Sequence, residues 1–401
     1  MRHPKALSGA AAIGLAGALM SAGCASSDSA PTGSQSASAA TPSTSAVAFT
    51  PEVEAELQQV LDSIRKEFNA PGVQAGVWTP TGQWVGSSGV AKEGSSQPVT
   101  PADHTRIGSI TKTMTGTVTL QLIDEGKLSF DDVLDKYVPG MQNGDTVTIK
   151  NLLEMQTGIP TYTGDTSVVK KYSADPTTAF TPQELVDSVK KQPAMFAPGE
   201  QFFYSNTNYV LLGMVIEKVT GKSISDNFSE RLFTPLGMAD TSVPGTSTDL
   251  PEPYLSGISE QGDPLGTVKN ATNWNPSFAS TAGEVISTLD DLHKWGVALG
   301  TGQGILSAGT QQMRVDSVNT TVPPNTPERS YGMGIVNTAG WLGHTGEIPG
   351  YNTVLNYQPD TGTTIAIMVN SDITKGPESK PVAPAVAALE GLAAIMTPGG
   401  S

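Results

Sequence analysis

Residues 352–370 read NTVLNYQPDTGTTIAIMVN. Asn352 to Tyr357 and Thr363 to Asn370 carry β-branched and aromatic residues, and Pro359-Asp360-Thr361-Gly362 between them has the composition of a tight turn, so the stretch reads as a β-hairpin. A second hairpin stands near the other end of the chain, where Val73 to Trp78 and Gln83 to Ala91 flank Thr79-Pro80-Thr81-Gly82. Outside each hairpin lies a helix. Pro51 to Phe68 places Val53, Leu57, Val60, Leu61, Ile64 and Phe68 at helical spacing behind a Thr50-Pro51 start, and Pro384 to Met396 is rich in Ala and Leu. Helix–hairpin at one end and hairpin–helix at the other predict one antiparallel sheet built from both chain ends with flanking helices. Between them, roughly residues 105–300 read as helix and loop. Ile110, Met114, Val118, Leu122 and Ile123 form one apolar face ended by Gly126, and Asn208 to Thr220 is a second helix closed by Gly221. The predicted fold class is α/β, with a largely helical inserted subdomain and the active site between the two parts.

The whole chain has 401 residues and a net charge of -15 from 23 basic and 38 acidic side chains. The basic residues are scattered after residue 5, which excludes nucleic acid as a partner, because phosphate binding needs concentrated Lys and Arg. Arg2, His3 and Lys5 followed by the uncharged stretch Leu7 to Ala22 have the layout of an export signal, shorter than the ~20 apolar residues of a membrane-spanning helix. Ser21-Ala22-Gly23-Cys24 contains the only cysteine. It resembles a bacterial lipobox, with Ser21 where Leu is usual, and that implies lipidation of Cys24. Residues 25–48 are almost wholly Ala, Ser, Thr, Pro and Gly, too poor in apolar side chains to offset chain entropy. The expected organisation is a lipoprotein-type signal at 1–24, a flexible tether at 25–49 and a folded domain at 50–401. The protein is then exported and held at the outer face of the bacterial membrane through a lipid anchor alone, or is secreted if the Cys is not used.

Three short segments carry candidate chemistry. Ser109-Ile110-Thr111-Lys112 puts a hydroxyl and an amine three residues apart, on one face of a helix, where a lysine that lost its proton could activate the serine. Tyr204-Ser205-Asn206 precedes the second helix and offers a phenol to relay a proton and an amide to meet a substrate carbonyl. His344-Thr345-Gly346 leads into the C-terminal hairpin, with a glycine that permits close backbone approach. No G-x-S-x-G occurs, and His3, His104, His293 and His344 form no H-x-H or H-E-x-x-H pattern, so no metal and no cofactor are expected.

In this order the three segments resemble those of serine β-lactamases and penicillin-binding DD-peptidases, which use S-x-x-K, then Y-x-N or S-x-N, then K-T-G or H-T-G. The separations of 95 and 140 residues are similar to those of the class C-like branch with its Tyr. Stretches around Ile107–Leu128, Leu152–Gly158, Pro198–Gly221, Pro235–Met238 and Gly343–Tyr351 extend the likeness to roughly residues 52–375. The resemblance implies a β-lactamase/transpeptidase-like fold and an acyl-enzyme on Ser109. Lys112 and Tyr204 would share the proton work, with either as general base. Asn206 would hold the substrate amide, and the backbone N–H groups of Ser109 and Glu347 would form the oxyanion hole. His344 and Thr345, next to Gly346, would meet a substrate carboxylate, His344 best when protonated.

The implied substrate is a small molecule or peptide of the cell envelope, first of all a D-alanyl-D-alanine peptide or a β-lactam. An esterase or D-amino-acid amidase of the same fold is the alternative, and a non-hydrolytic penicillin-binding sensor is the alternative outside enzymes. Two features weigh against a carboxylate substrate: the strand expected at Tyr331 to Asn337 has no Arg or Lys, and Glu347 would repel an anion if its side chain faced the pocket. Trp274 is a further candidate for the pocket wall. If Cys24 is the anchor, Cys24→Ala should move the protein out of the membrane fraction or block its processing. Fractionation identical to the wild type would leave cleavage by an ordinary signal peptidase.

Overall fold

The computed structural model describes residues 47–261, 266–318, 322–377 and 379–397, so the signal, Cys24 and nearly all of the tether lie outside the described residues. Helix α1 (Pro51–Phe68) starts where the Thr50 side chain accepts from Val53 N, and it ends at Asn69 in the left-handed region. Its stripe of Leu57, Leu61, Ile64 and Phe68 is buried. Strands β1 (Gly72–Thr79) and β2 (Gly82–Gly89) form the first hairpin. Helix α2 (Thr111–Asp124) follows a short 3-10 turn at Gly108–Ile110, and α3 (Asn206–Thr220) ends at Gly221 with φ 69°. After α4 (Leu289–Thr301) the chain returns to the sheet through β3 (Arg329–Tyr331), β4 (Val336–Thr338), β5 (Trp341–Ile348), β6 (Tyr351–Gln358) and β7 (Thr363–Val369), and α5 (Pro384–Met396) follows.

The seven strands form one antiparallel sheet in the order β2-β1-β7-β6-β5-β4-β3. β1 and β7, from opposite ends of the chain, pair in the register Val73↔Val369 to Trp78↔Thr364. The sheet from both chain ends is therefore present, and its hairpins lie within a residue or two of where the sequence puts them. Alternation along β7 shows why it sits at the centre. Ile365, Ile367 and Val369 join α1 and α5 in one core, while Ala366 and Met368 join α2, α3 and α4 in the other.

Two expectations change. The strand expected at Tyr331 to Asn337 is two short strands, broken where Gly334 takes φ 68°, and the first begins at Arg329, so it does carry a cation. Helix α2 has no single apolar face. Thr111, Lys112, Thr113, Thr115, Thr117 and Thr119 are all buried with its apolar residues. Thr117 and Thr119 satisfy their hydroxyls by donating to the carbonyls four residues back, at 2.7 and 2.9 Å, and Thr113 donates to Ile110 O at 2.7 Å. A helix buried all round is a central helix, and its first turn is the deepest point of the site.

The sheet meets that first turn at glycines. A Cβ on Gly346 would stand 2.0 Å from Ile107 O and 2.2 Å from Thr353 Oγ1, which itself donates to Ile107 O at 2.9 Å. Gly108, at φ 53°, would bring a Cβ to 2.5 Å from Glu347 N. Gly346→Ala is expected to push β5 off the Ile107–Ser109 turn, cost about 1–3 kcal/mol as overpacking does, and slow labelling of Ser109 by a fluorophosphonate. Labelling at the wild-type rate, with an unchanged melting temperature, would refute the close approach.

Candidate active site

Ser109 sits in the 3-10 turn and Lys112 in the first turn of α2, so their side chains project to the same side. Lys112 Nζ lies 2.9 Å from Ser109 Oγ and donates to Ala282 O at 2.6 Å. The segment carrying that carbonyl is stitched to the helix, because Thr115 Oγ1 donates to Thr281 O at 2.8 Å and Thr111 Oγ1 accepts from Val285 N at 3.2 Å. Lys112 is 0% exposed, and burial holds its amine well below the ordinary 10.5. With no carboxylate paired to it among the described residues, burial favours the neutral amine, the form whose lone pair can take the serine proton.

Tyr204 stands over this pair. Lys112 Nζ is 5.0 Å from its ring centroid, and its hydroxyl is hydrogen-bonded to Ser109. Burial raises the phenol above its ordinary 10, despite that bond, so it is protonated at neutral pH. Backbone bonds from Phe203 N to Met155 O (3.0 Å) and from Ser205 N to Met155 Sδ (3.4 Å) fix the Tyr204–Asn206 approach to α3. Asn206 is buried and donates from Nδ2 to Thr163 Oγ1 at 3.5 Å.

These groups share one cavity, lined by Ser109, Tyr204, Asn206, Gln261, Phe278 and Glu347 among others. Ser109 and Glu347, the two residues whose N–H groups are expected to meet an oxyanion, are both on its wall. Gln261, Tyr162 and Phe278 also line it and were not singled out from the sequence, since each arrives from a distant loop with no local motif. Trp274 does not line it; its ring packs edge-on against Tyr172 at 5.9 Å. Among the described residues no group of three or more His, Cys, Asp or Glu is placed to hold a metal ion.

The structure corrects two further expectations. His344 is 4% exposed and absent from the cavity wall, its ring behind Tyr204 (6.1 Å between centroids) and perpendicular to Tyr331 (5.7 Å). Its Nδ1 is 2.5 Å from Thr345 O, which makes Nδ1 the donor, and its Nε2 is buried without a hydrogen-bond partner among the described residues. Burial depresses its pKa to about 3. A neutral, covered imidazole cannot clamp a carboxylate. Thr345 pairs directly across from Val354, which belongs to the α1/α5 core, so its side chain is on the far face of the sheet. Gly346 contributes through its missing Cβ and not through the cavity wall.

Among the described residues no Lys or Arg lines the cavity, and Arg329, although close enough to oppose protonation of His344, is not on its wall either. Glu347 is the one carboxyl residue among the described residues of the wall, raised to about 8 by burial and by Asp372.

The depressed His344 predicts an acid-stability signature. Between about pH 6.5 and 3 the unfolded chain takes up a proton that the folded chain refuses. The stabilisation from neutral His344 is complete above pH 6.5 and falls as pH drops, by about 1.4 kcal/mol per pH unit. Urea unfolding should therefore lose stability more steeply below pH 6.5 in the wild type than in His344→Gln. Parallel curves would mean that the folded protein carries a charged imidazole.

Comparison with known proteins agrees with this architecture. The family model described as Beta-lactamase matches residues 57–389. Penicillin-binding protein 4 of Amycolatopsis lactamdurans is 29% identical over 349 residues, covering 80% of this chain and 86% of that one. The chain spans 61% of another curated relative, PbpX of Bacillus subtilis, and 53% of Protein flp of Staphylococcus aureus. Among solved structures, a D-stereospecific amidohydrolase from Streptomyces sp. superposes with a TM-score of 0.75 at 30% identity, covering 86% of this chain and 99% of that one. The D-amino acid amidase of Ochrobactrum anthropi SV3 in complex with L-phenylalanine amide gives 0.73 at 27% identity, covering 86% and 97%. A match over most of the folded chain, on a fold shared with these enzymes, places the protein in the β-lactamase family as a serine hydrolase.

Proposed function

We propose that the protein hydrolyses small amides or esters of D-amino acids through an acyl-enzyme on Ser109, anchored at the cell surface by Cys24. The observation that carries this reading over a D-alanyl-D-alanine carboxypeptidase is the charge of the cavity wall: among the described residues it holds Glu347 and no cation. A peptide ending in a free carboxylate, or a β-lactam, would have to bury an anion there unpaired, which is costly. The protonated His344 that was expected to compensate is neutral and covered. An amide or neutral ester needs no such partner. The likeness to a D-stereospecific amidohydrolase and a D-amino acid amidase supports the same choice, and the Y-x-N motif supports the class C-like branch.

In the mechanism, neutral Lys112 accepts the Ser109 proton as Oγ attacks the carbonyl carbon. The tetrahedral oxyanion is met by the N–H groups of Ser109 and Glu347. As the intermediate collapses, Tyr204 passes its hydroxyl proton to the departing amine and regains one from Lys112. Water then attacks the acyl-enzyme by the same relay run in reverse and frees the acid. Between the two candidates for general base, the neutral lysine fits the free enzyme and the high-pKa phenol does not.

The test is a panel of D-amino-acid amides, a neutral D-ester and a D-alanyl-D-alanine peptide, with intact mass spectrometry of the acyl-enzyme. Amide and ester turnover should exceed carboxypeptidase turnover. Ser109→Ala should abolish labelling by a fluorophosphonate, and Lys112→Arg, which keeps a permanent charge, should lower kcat/KM by about 10²–10⁴-fold. Preferred cleavage of the peptide would restore the carboxypeptidase reading, and acylation without release would make the protein a penicillin-binding sensor.

A further inference from the structure

Glu347 serves the oxyanion hole through its N–H, which leaves its side chain unassigned. That side chain is partly exposed, and the residue lines the cavity next to Gln261. Gln261 Nε2 donates to Glu347 Oε1 at 3.1 Å and to Asp372 Oδ2 at 2.6 Å, so one amide bridges two carboxyl groups. Ser259 Oγ adds a bond to Asp372 Oδ2 at 2.8 Å. Asp372 is 5% exposed; its carboxyl also accepts from the Gly350 backbone, and its Oδ1 is buried with no hydrogen-bond partner among the described residues. The carboxyls are ion-paired to no Lys or Arg among the described residues. Two acids are thus held side by side by a shared donor, Asp372 buried and Glu347 partly exposed at the cavity, with no Lys or Arg partner among the described residues.

We propose that Glu347, backed by Gln261 and Asp372, is the subsite for the free α-ammonium group of the substrate. The inference rests on the amidase reading and narrows it to amino acid derivatives with an unblocked amine. The geometry suits that group. In an amino acid amide the amine is attached to the carbon next to the scissile carbonyl, and Glu347 supplies both the N–H for the carbonyl oxygen and the carboxyl for the amine.

The charge state follows from what faces Glu347: Asp372 from the end of β7, Gln261 from the loop after Ser259, and Tyr204 from the start of α3. Burial raises both groups, Glu347 to about 8 with repulsion from Asp372 added and Asp372 to about 7, so at neutral pH the pair is not fully ionised. An arriving ammonium favours the doubly ionised pair and draws a proton out of it.

The experiment uses the full-length protein and two matched substrates, D-phenylalanine amide and N-acetyl-D-phenylalanine amide. The kcat/KM ratio of free to acetylated substrate should exceed one in the wild type and fall by about 10–100-fold in Glu347→Gln, as loss of a charged hydrogen bond does. Taking a ratio cancels any disturbance of the oxyanion hole. In Asp372→Asn, Glu347 loses its repelling neighbour, so the rise of the ratio with pH should move to lower pH, a shift that a packing defect would not produce. In the unaltered protein, D-phenylalaninol should inhibit at least tenfold more strongly than N-acetyl-D-phenylalaninol. Equal inhibition, or a ratio unmoved by Glu347→Gln while both amides are hydrolysed, overturns the subsite and leaves the hydrolase reading standing. If neither amide is hydrolysed while Ser109 still reacts with a fluorophosphonate, the amidase reading fails and the subsite falls with it.

Discussion

The site depends on a gap between two backbones too narrow for a methyl group. The turn Ile107–Ser109 lies against β5 where Gly108 faces Glu347 and Gly346 faces Ile107, and a Cβ on either glycine would fall within 2.5 Å of backbone. Only that approach brings the N–H of the nucleophile's own residue and the N–H of a strand residue to one cavity. Ser109 belongs to the helical part and Glu347 to the sheet, so the two N–H groups proposed to meet the oxyanion come together only where the two parts of the fold touch. Thr353 secures the contact by donating to Ile107 O. The centrality of α2 follows from it: a helix that starts against the sheet edge and runs into the helical part has no solvent face, and its polar residues must satisfy themselves within it.

The second constraint is electrostatic. Burying an ammonium group costs several kcal/mol unless a carboxylate compensates. Here the compensating group is only a carbonyl, Ala282 O, and a serine hydroxyl. The cheaper state is the neutral amine, which is also the state that can take a proton. Burial likewise keeps His344 neutral, so one physical cause sets the protonation of two motif residues. The fold thus generates its base by withholding a partner, with no added device.

Much of this was legible in the sequence because it was local. The hairpins announced themselves by turn residues between β-branched runs, and α1 by its stripe and Thr50-Pro51 start. The Ser109, Lys112, Tyr204 and Asn206 set was legible through motif order and spacing, and the structure does gather it around one cavity. What could not be read depended on contacts between distant segments. Gln261 reaches Glu347 across 86 residues, and Tyr162 and Phe278 carry no motif. The break at Gly334 turns on one left-handed glycine within an otherwise strand-like run, which moved the strand start to Arg329. His344 was misread for a related reason. Its chemistry suggests a cation, but its charge is decided by burial, which its neighbours in sequence do not disclose.

The same reasoning bears on how a shared apparatus acquires a substrate. Nucleophile, base and oxyanion hole act on any activated carbonyl, so discrimination has to come from the groups around them. A permanent cation in the third motif would be felt throughout so small a cavity and would favour an anionic ligand. Replacing it with an imidazole that burial keeps neutral removes the attraction without enlarging the site. Placing a carboxyl residue one strand position beyond Gly346 then reverses the sign of the field. With Glu347 also the proposed donor of an oxyanion-hole N–H, that field would act close to the reacting carbonyl. A fully ionised carboxylate there would oppose the developing oxyanion, whereas a carboxyl that is protonated, or neutralised by a bound ammonium, would not. The elevated proton affinity of the Glu347–Asp372 pair therefore reconciles an acidic wall with chemistry that builds negative charge beside it, and makes occupation by a cation favourable to both.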